Sequence, residues 1–365
     1  MGFGNVMSFL GIFVLVFFAW LISRDRKTVN WKVLQWGLLM QVAFGAFVFL
    51  FPPGRLFFQK LNGLVLHVLG YAGAGTNFVF GPLAAGPGQK GSVGFILAFQ
   101  VLPAVLVFAA LMGLLYHIGV MQLLIRAFSF VFTKLFRISG AEALCASSNI
   151  FVGVEASLTI RPYINRMTQS ELCTILAAGM ATVASTVLGL YSFFLYKQFP
   201  GIAGHLISAS ILSAPAVLVM TKLLVPETGQ PETLGRVVEP KFDKAGNWIE
   251  AVIRSSNEGV RLAVGIGATL VVFVSLLKMA NAFVGWSADA VLGQATVIKL
   301  FGVKTLTIQS ILGAAFYPFV RIMGVSGADA GLVADLLGKR VVLTELPCYQ
   351  DLAVLMAQQK FQDPR

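Results

Sequence analysis

Oxygen-bearing side chains cluster in the middle of an otherwise apolar stretch, residues 139–166. The stretch carries Ser147, Ser148, Asn149 and Glu155. Hydroxyl and amide oxygens, together with free backbone carbonyls, suit a hard cation, and a carboxylate suits a solute that carries hydroxyl groups. These residue types at this spacing predict a site for a cation and a polar small molecule.

The length of this stretch indicates how it is built. It is too polar for an ordinary membrane span and too apolar for a surface loop. It divides between Val152 and Gly153 into halves of about 10–13 residues, each of which reaches only about halfway across a bilayer as a helix. We predict a re-entrant helical hairpin, because the unpaired backbone groups at such a tip are tolerable only in a polar cavity.

A second stretch of the same kind lies at 326–352. Two short helices are expected to meet there, near a polar centre between Gly338 and Glu345. Broken hairpins in both halves of a chain indicate repeats that flank a binding site at the membrane midplane. Glu155 and Glu345 are therefore expected to face a common polar cavity.

Each polar side chain also has an ordinary structural interpretation. Asn149 could cap a helix, and both carboxylates could form local ion pairs. The possible pairs are Glu155 with Arg161, and Glu345 with Lys339 or Arg340. Intramembrane carboxylates are uncommon and usually functional, and their occurrence in two matching hairpins favours a binding site.

The composition requires lipid as the solvent for much of the chain. Hydrophobic residues make up 57% of the 365 residues and charged residues 12%, with a mean hydropathy of +0.82. A soluble protein of this length needs far more charge to cover its surface. Segments long enough to cross a bilayer as helices lie near 4–23, 33–51, 93–118, 171–196, 203–225 and 260–284. The fold class is therefore an all-α polytopic membrane protein.

Three further segments are expected outside the bilayer core. Residues 54–80 and 120–137 read as amphipathic helices lying at the membrane surface. Residues 226–247 contain prolines and mixed charges and read as a solvated loop between the halves of the chain.

The net charge of +11 does not indicate a nucleic-acid partner. Lys and Arg lie mostly between apolar blocks, where they set topology and contact lipid headgroups. The first apolar segment has no positive charge before Arg24, so it is not a cleavable signal peptide. The charge bias places the loop 24–32 in the cytoplasm and the N-terminus outside.

Nothing in the sequence indicates an enzyme or a bound cofactor. The three cysteines form no paired motif, and the three histidines have no metal-ligand spacing. There is no Ser/His/Asp order and no nucleotide-binding loop. His117 lies near the end of an apolar segment, so a role in proton transfer is one alternative for it.

The sequence resembles the concentrative nucleoside transporter family of cation-coupled nucleoside symporters, through most of the chain and in the family's order. The matching segments are 80–83, 94–103, 116–119, 140–143, 148–153, 160–163, 179–182, 213–216, 222–228, 323–325 and 337–339. The resemblance implies a homotrimer in the cytoplasmic (inner) membrane. It also implies symport of nucleosides with sodium or protons, by an elevator motion of a transport domain against a scaffold.

The resemblance also implies which residues bind. The expected sodium ligands are Asn149, the Val152 carbonyl, and Val183, Ser185 and Thr186 in a broken helix. The expected substrate-binding residues are Gly153, Val154 and Glu155 in the first hairpin and Thr344 and Glu345 in the second. Sodium is favoured over protons, because the side chains of Asn149, Thr182, Ser185 and Thr186 offer hard oxygens.

The expected divisions of the chain follow from the same resemblance. They are 1–53 (N-terminal transmembrane helices), 54–138 (interfacial helices and a scaffold span), 139–202 (first hairpin and broken span, in the transport domain), 203–285 (scaffold spans with the hydrophilic loop 226–247) and 286–365 (second hairpin region, in the transport domain).

Three features depart from the family pattern. The family usually has Gly-Gln-Thr-Glu at the first hairpin, where Gln and Thr contact the base, whereas Gly153 is followed here by Val154 and Glu155. Its second hairpin usually has Asn-Glu-Phe, whereas Thr344 precedes Glu345 here. The family also has two more transmembrane segments, including a broken helix with ribose-binding Asn and Ser, beyond the position where this chain ends. A second hypothesis is therefore a non-transporting paralogue with a structural or regulatory role.

Overall fold

The computed structural model describes residues 3–239, 245–292 and 306–363, without the side chains of residues 3–6, 154, 155, 157, 158 and 292. This part of the chain is helical, and its β pairing is limited to one isolated bridge between Ser139 and Leu234. The predicted all-α class is therefore confirmed.

The helices of the first half are bounded as follows: α1 Phe3–Leu21, α2 Trp31–Phe49, α3 Pro52–Phe80, α4 Leu97–Gln100, α5 Leu102–His117, α6 Val120–Phe136 and α7 Gly140–Asn149, with short 3₁₀ helices at Gly81–Ala84 and Val154–Arg166. The second half contains α8 Gln169–Ala181, α9 Ser185–Leu195, α10 Ile202–Leu224, α11 Trp248–Leu292, α12 Ile308–Ile322, α13 Ala330–Leu343 and α14 Glu345–Ala357.

Six helical segments among the described residues are long and apolar enough to cross a membrane. They are Trp31–Phe49, Pro52–Ala84, Leu97–His117, Gln169–Leu195, Ile202–Leu224 and Trp248–Val291. Met7–Leu21 and Ile308–Ile322 are shorter apolar helices. Five of the six overlap spans expected from the sequence, which agrees with a polytopic membrane protein.

The remaining segment contains α3, which was expected at the membrane surface. Its length and composition would also permit a span. One of its polar residues, Asn62, bonds to other parts of the protein: its side chain donates to the Pro200 carbonyl at 2.9 Å and accepts from the Gly204 amide at 3.2 Å. The surface position of α3 stays a prediction.

The chain forms two compact units. The larger unit comprises Val16–Tyr196 and Pro200–Ala263, and the smaller comprises Met1–Leu15, Lys197–Phe199 and Val264–Arg365. The first broken hairpin belongs to the larger unit and the second to the smaller.

Helix α6 supports the first hairpin through one apolar face. Its spacing buries Met121, Ile125, Phe132 and Phe136, which lie on one side of a helix with 3.6 residues per turn. Phe132 and Phe136 belong to the same buried cluster as Ala143 and Ala146 of α7. The buried face differs from the apolar face that the sequence indicates at Leu123, Leu124, Phe128, Val131 and Leu135, because Leu123, Leu124 and Val131 are exposed. The surface position of 120–137 stays a prediction.

Candidate functional site

The first hairpin breaks where the sequence predicts. Helix α7 ends at Asn149, residues 151–153 are not helical, and a 3₁₀ helix runs through Val154–Arg166. Gly153 has φ +83° and ψ −151°, a backbone region that only glycine adopts without strain. The glycine therefore allows the chain to turn at the tip, between arms of 10 and 13 residues.

Asn149 at this tip has an unused oxygen. The side chain is 1% exposed, and its Nδ2 donates to the Cys145 carbonyl at 3.1 Å. Its Oδ1 is buried and has no hydrogen-bond partner among the described residues. Buried polar atoms are rarely left without a partner, and a hard cation would satisfy this one.

A second helix break lies beside the first. Helix α8 ends at Ala181 and α9 begins at Ser185, with Thr182 and Ala184 in extended conformations between them. The Ser185 amide donates to the Phe151 carbonyl at 2.9 Å. A helix break therefore lies close to the position expected near 183–186, but it covers 182–184, with Ser185 and Thr186 in α9. It is joined directly to the hairpin tip.

The structure thus brings together the two segments that hold the predicted sodium ligands. Asn149 ends α7 and Val152 lies in the first break, whereas Val183 lies in the second break and Ser185 and Thr186 begin α9. Their role as ligands stays a prediction. The predicted substrate-binding side chains of Val154 and Glu155 lie outside the described residues.

Ser210 in α10 connects these two breaks, although it was not among the residues predicted from the sequence. Its Oγ donates to the Ile150 carbonyl at 2.9 Å and accepts from the Val183 amide at 3.3 Å. The available signal was a hydroxyl inside an apolar span, where polar residues are often functional or satisfy neighbouring backbone groups.

A buried ionic cluster lies at the base of the first hairpin. Lys222 Nζ lies 2.8 Å from Glu142 Oε1 and 3.6 Å from Glu227 Oε2, and it donates to Ser170 Oγ at 2.9 Å. The Glu142 side chain is 0% exposed and the Lys222 side chain 8%. The cluster joins α7, α8 and the end of α10, and it was also missed.

The expected solvated loop 226–247 is mostly exposed in its described first part, but it is also used inside the protein. Thr233 is buried, its carbonyl accepts from the Gly140 amide at 2.9 Å, and its Oγ1 accepts from the Ala141 amide at 3.0 Å. The first amides of a helix have no partner within it, so a nearby polar segment can cap them. A Cβ on Gly140 would lie 1.8 Å from the Arg236 carbonyl oxygen, so this close approach requires glycine. Residues 240–244 lie outside the described chain.

The second hairpin also breaks where expected. Helix α13 ends at Leu343 and α14 begins at Glu345, with Thr344 between them at φ +74° and ψ 179°. Arg340 Nη2 lies 3.3 Å from Glu345 Oε1, and both side chains are partly exposed. The local pair expected as an alternative for Glu345 is therefore present, and an exposed pair of this kind contributes only about 0–1 kcal/mol.

A cavity of about 1150 Å³ opens beside the second hairpin within the smaller unit. Its walls include Arg340, Glu345 and Tyr349 of the hairpin, together with Met323 and Asp329 before it. Glu345 thus reaches a space large enough for a small molecule. The expectation that Glu155 shares this space stays a prediction.

Asp329 fixes the start of the second hairpin and lies outside the spanning helices. It accepts from the amides of Gln362 at 2.9 Å and Asp363 at 2.8 Å, and from Ser326 Oγ at 3.1 Å. The pKa of Asp329 is lowered, foremost by the Gln362 amide, because these bonds stabilise the ionised carboxylate. This carboxylate is therefore a structural anchor for the segment after α14.

Three family models match successive parts of the chain. Residues 10–83 match the Na+ dependent nucleoside transporter N-terminus, 98–197 match a family described as Nucleoside recognition, and 205–365 match the Na+ dependent nucleoside transporter C-terminus. The three matches follow one another along the chain and together cover most of it.

Curated relatives match over almost the full chain. An uncharacterized transporter of Haemophilus influenzae is 35% identical over 353 residues, covering 95% of this chain and 79% of that protein. Sodium/nucleoside cotransporter 1 of Sus scrofa is 34% identical over 352 residues, covering 96% of this chain and 51% of that protein. The chain spans about half the length of the mammalian relatives it matches.

Solved structures of a protein named CNTnw share the fold. In an inward-facing, substrate-bound state it is 36% identical, with a TM-score of 0.81 and coverage of 95% of this chain and 80% of that chain. A variant of the same protein in an outward-facing state is 35% identical, with a TM-score of 0.82 and coverage of 97% and 81%.

Proposed function

Because the chain belongs to the family of Na+ dependent nucleoside transporters, we propose that it carries nucleosides across the cytoplasmic membrane by symport with sodium. The observation that carries this proposal is the unpaired, buried Oδ1 of Asn149 beside two joined helix breaks. A hard cation at that position would satisfy an oxygen that the described protein leaves without a partner.

The arrangement provides a way to couple the cation to the solute. Sodium held by Asn149, the Val152 carbonyl and the segment of Val183, Ser185 and Thr186 would fix the first hairpin tip. Gly153, Val154 and Glu155 directly follow that tip in the chain. A bound cation thus orders the substrate-binding segment and offsets part of its negative charge, so each ligand raises the affinity for the other.

The second hairpin is also proposed to bind substrate. Glu345 lines the cavity of the smaller unit and can accept hydrogen bonds from hydroxyl groups of a ribose. Thr344 adjoins it at the break. Movement of the hairpins together, as an elevator within a homotrimer, is the mechanism that we propose for alternating access.

Uptake by the purified protein in proteoliposomes tests this proposal. Labelled uridine and adenosine are supplied with an inward sodium gradient, or with choline in place of sodium. We expect uptake to require sodium, and Glu345→Gln to reduce it while leaving the elution volume of the protein unchanged. Uptake that persists in choline but collapses when a proton gradient is removed would assign coupling to protons instead.

Two observations favour the alternative of a non-transporting paralogue. Val154 replaces hydrogen-bonding residues expected from the family, and Arg340 pairs with Glu345 in the cavity. Such a protein would bind nucleoside without moving it. Nucleoside-dependent thermal stabilisation of the purified protein, combined with no uptake in any gradient, would identify this case.

A further inference from the structure

Ser210 lies at the contact between the two helix breaks, in the interior of α10. It is 3% exposed. Its Oγ donates to the carbonyl of Ile150, directly after α7, and accepts from the amide of Val183, between α8 and α9. Both partners are backbone groups at positions where the helices are interrupted.

A hydroxyl suits this position because it can donate one hydrogen bond and accept others at the same time. One side chain therefore satisfies a carbonyl of the hairpin tip and an amide of the broken helix. The bond from the Ser185 amide to the Phe151 carbonyl, at 2.9 Å, makes a second connection one to two residues further along each segment. The two connections fix the separation of the segments.

We propose that Ser210 is a positioning residue for sodium coupling. It holds 150–152 against 183–185, so that oxygens from both segments converge on one cation beside Asn149. This inference rests on the proposed sodium symport. Ser210 acts through the backbone of Ile150 and Val183 and does not itself bind the ion.

Ser208 provides a matched control on the same helix. It is 2% exposed, and its Oγ donates to the His205 carbonyl of its own helix at 2.9 Å, which is a common arrangement for serine in a membrane helix. A serine that only stabilises α10 would behave as Ser208 does. A positioning serine changes the affinity for sodium as well.

The test measures the melting temperature of the purified protein against sodium concentration, with choline keeping ionic strength constant and no nucleoside present. We expect Ser210→Ala to raise the sodium concentration for half-maximal stabilisation by roughly 10–100-fold, the range seen when partners that orient metal ligands are removed. Ser208→Ala is expected to stay close to the wild-type value. Ser210→Thr, which keeps the hydroxyl, is expected to shift the value less than Ser210→Ala.

Ser210→Cys keeps the test decisive if the alanine variant does not fold. A thiol has nearly the size of a hydroxymethyl group but is a weaker hydrogen-bond partner, so a smaller shift in the same direction is expected. A folded Ser210→Ala or Ser210→Cys protein with wild-type sodium affinity overturns the inference and leaves the proposed function intact. A wild-type protein that shows neither sodium-dependent stabilisation nor sodium-dependent uptake overturns the proposed function, and this inference with it.

Discussion

Gly153 and Thr344 adopt the same rare backbone conformation, one at the break of each hairpin. Their φ angles are +83° and +74°, and their ψ angles are −151° and 179°. This region is essentially restricted to glycine, and another residue there costs about 1–3 kcal/mol. The first hairpin satisfies the requirement with glycine, whereas the second holds a β-branched residue under strain.

Replacing Thr344 is therefore expected to stabilise the protein. Thr344→Gly should raise the free energy of unfolding by about 1–3 kcal/mol, seen as a higher melting temperature. Gly153→Ala should lower it by a similar amount. As a control, Val341→Gly in the neighbouring helix α13 should lower the melting temperature, because glycine disfavours helix. A destabilised Thr344→Gly protein would contradict the strain at this position.

The Glu142–Lys222 pair should be sensitive to which partner is removed. Lys222→Met leaves the fully buried Glu142 and the nearby Glu227 without their cation, and loss of one partner of a buried pair costs about 3–5 kcal/mol. Glu142→Gln leaves Lys222 beside Glu227 and Ser170, so it should cost less.

The double variant tests whether the two side chains act as a pair. Because one substitution removes the charge that the other leaves unpaired, Glu142→Gln with Lys222→Met should be less destabilising than the sum of the single variants. Thermal unfolding of the four proteins in detergent measures this. Strict additivity would show that the 2.8 Å contact does not couple them.

Asn149→Ala should remove sodium-dependent stabilisation. A ligand at about 100 times its dissociation constant stabilises the folded state by about 2.7 kcal/mol, and the variant lacks the side-chain oxygen proposed to bind the ion. Ser147→Ala is the matched control, because Ser147 is equally buried and donates to the Ala143 carbonyl within the same helix. Equal responses to sodium in both variants would exclude Asn149 as a ligand.

Discrimination between nucleobases should be loose. Val154 has no side-chain hydrogen-bonding group, and an apolar contact discriminates by only roughly 10–200-fold, against ~10⁴–10⁵-fold for a site built on hydrogen bonds. Competition by purine and pyrimidine nucleosides for labelled uridine uptake should give affinities within about a hundredfold. A preference of a thousandfold or more would mean that other residues recognise the base.

The sequence alone identified the transporter family and predicted that the chain is not an enzyme, and the comparisons confirm both. It also located the breaks of both hairpins, whereas the break between α8 and α9 was implied only by the family resemblance. The hairpin breaks are local features, because a glycine or a group of polar residues inside an apolar stretch interrupts a helix wherever the stretch lies. The same local evidence was misleading for Thr233, whose polar surroundings indicated solvent although it caps α7.

The tertiary structure decided which distant groups meet. Ser210 contacts Ile150 across 60 positions of the sequence, and Ser139 contacts Thr233 across 94. Lys222, at the C-terminal end of α10, reaches Glu142 in α7. No periodicity or spacing encodes such pairs, because they depend on how whole helices pack. A helix break leaves backbone groups without hydrogen-bond partners, and a buried carboxylate leaves an unpaired charge. Only residues that folding brings close can satisfy them.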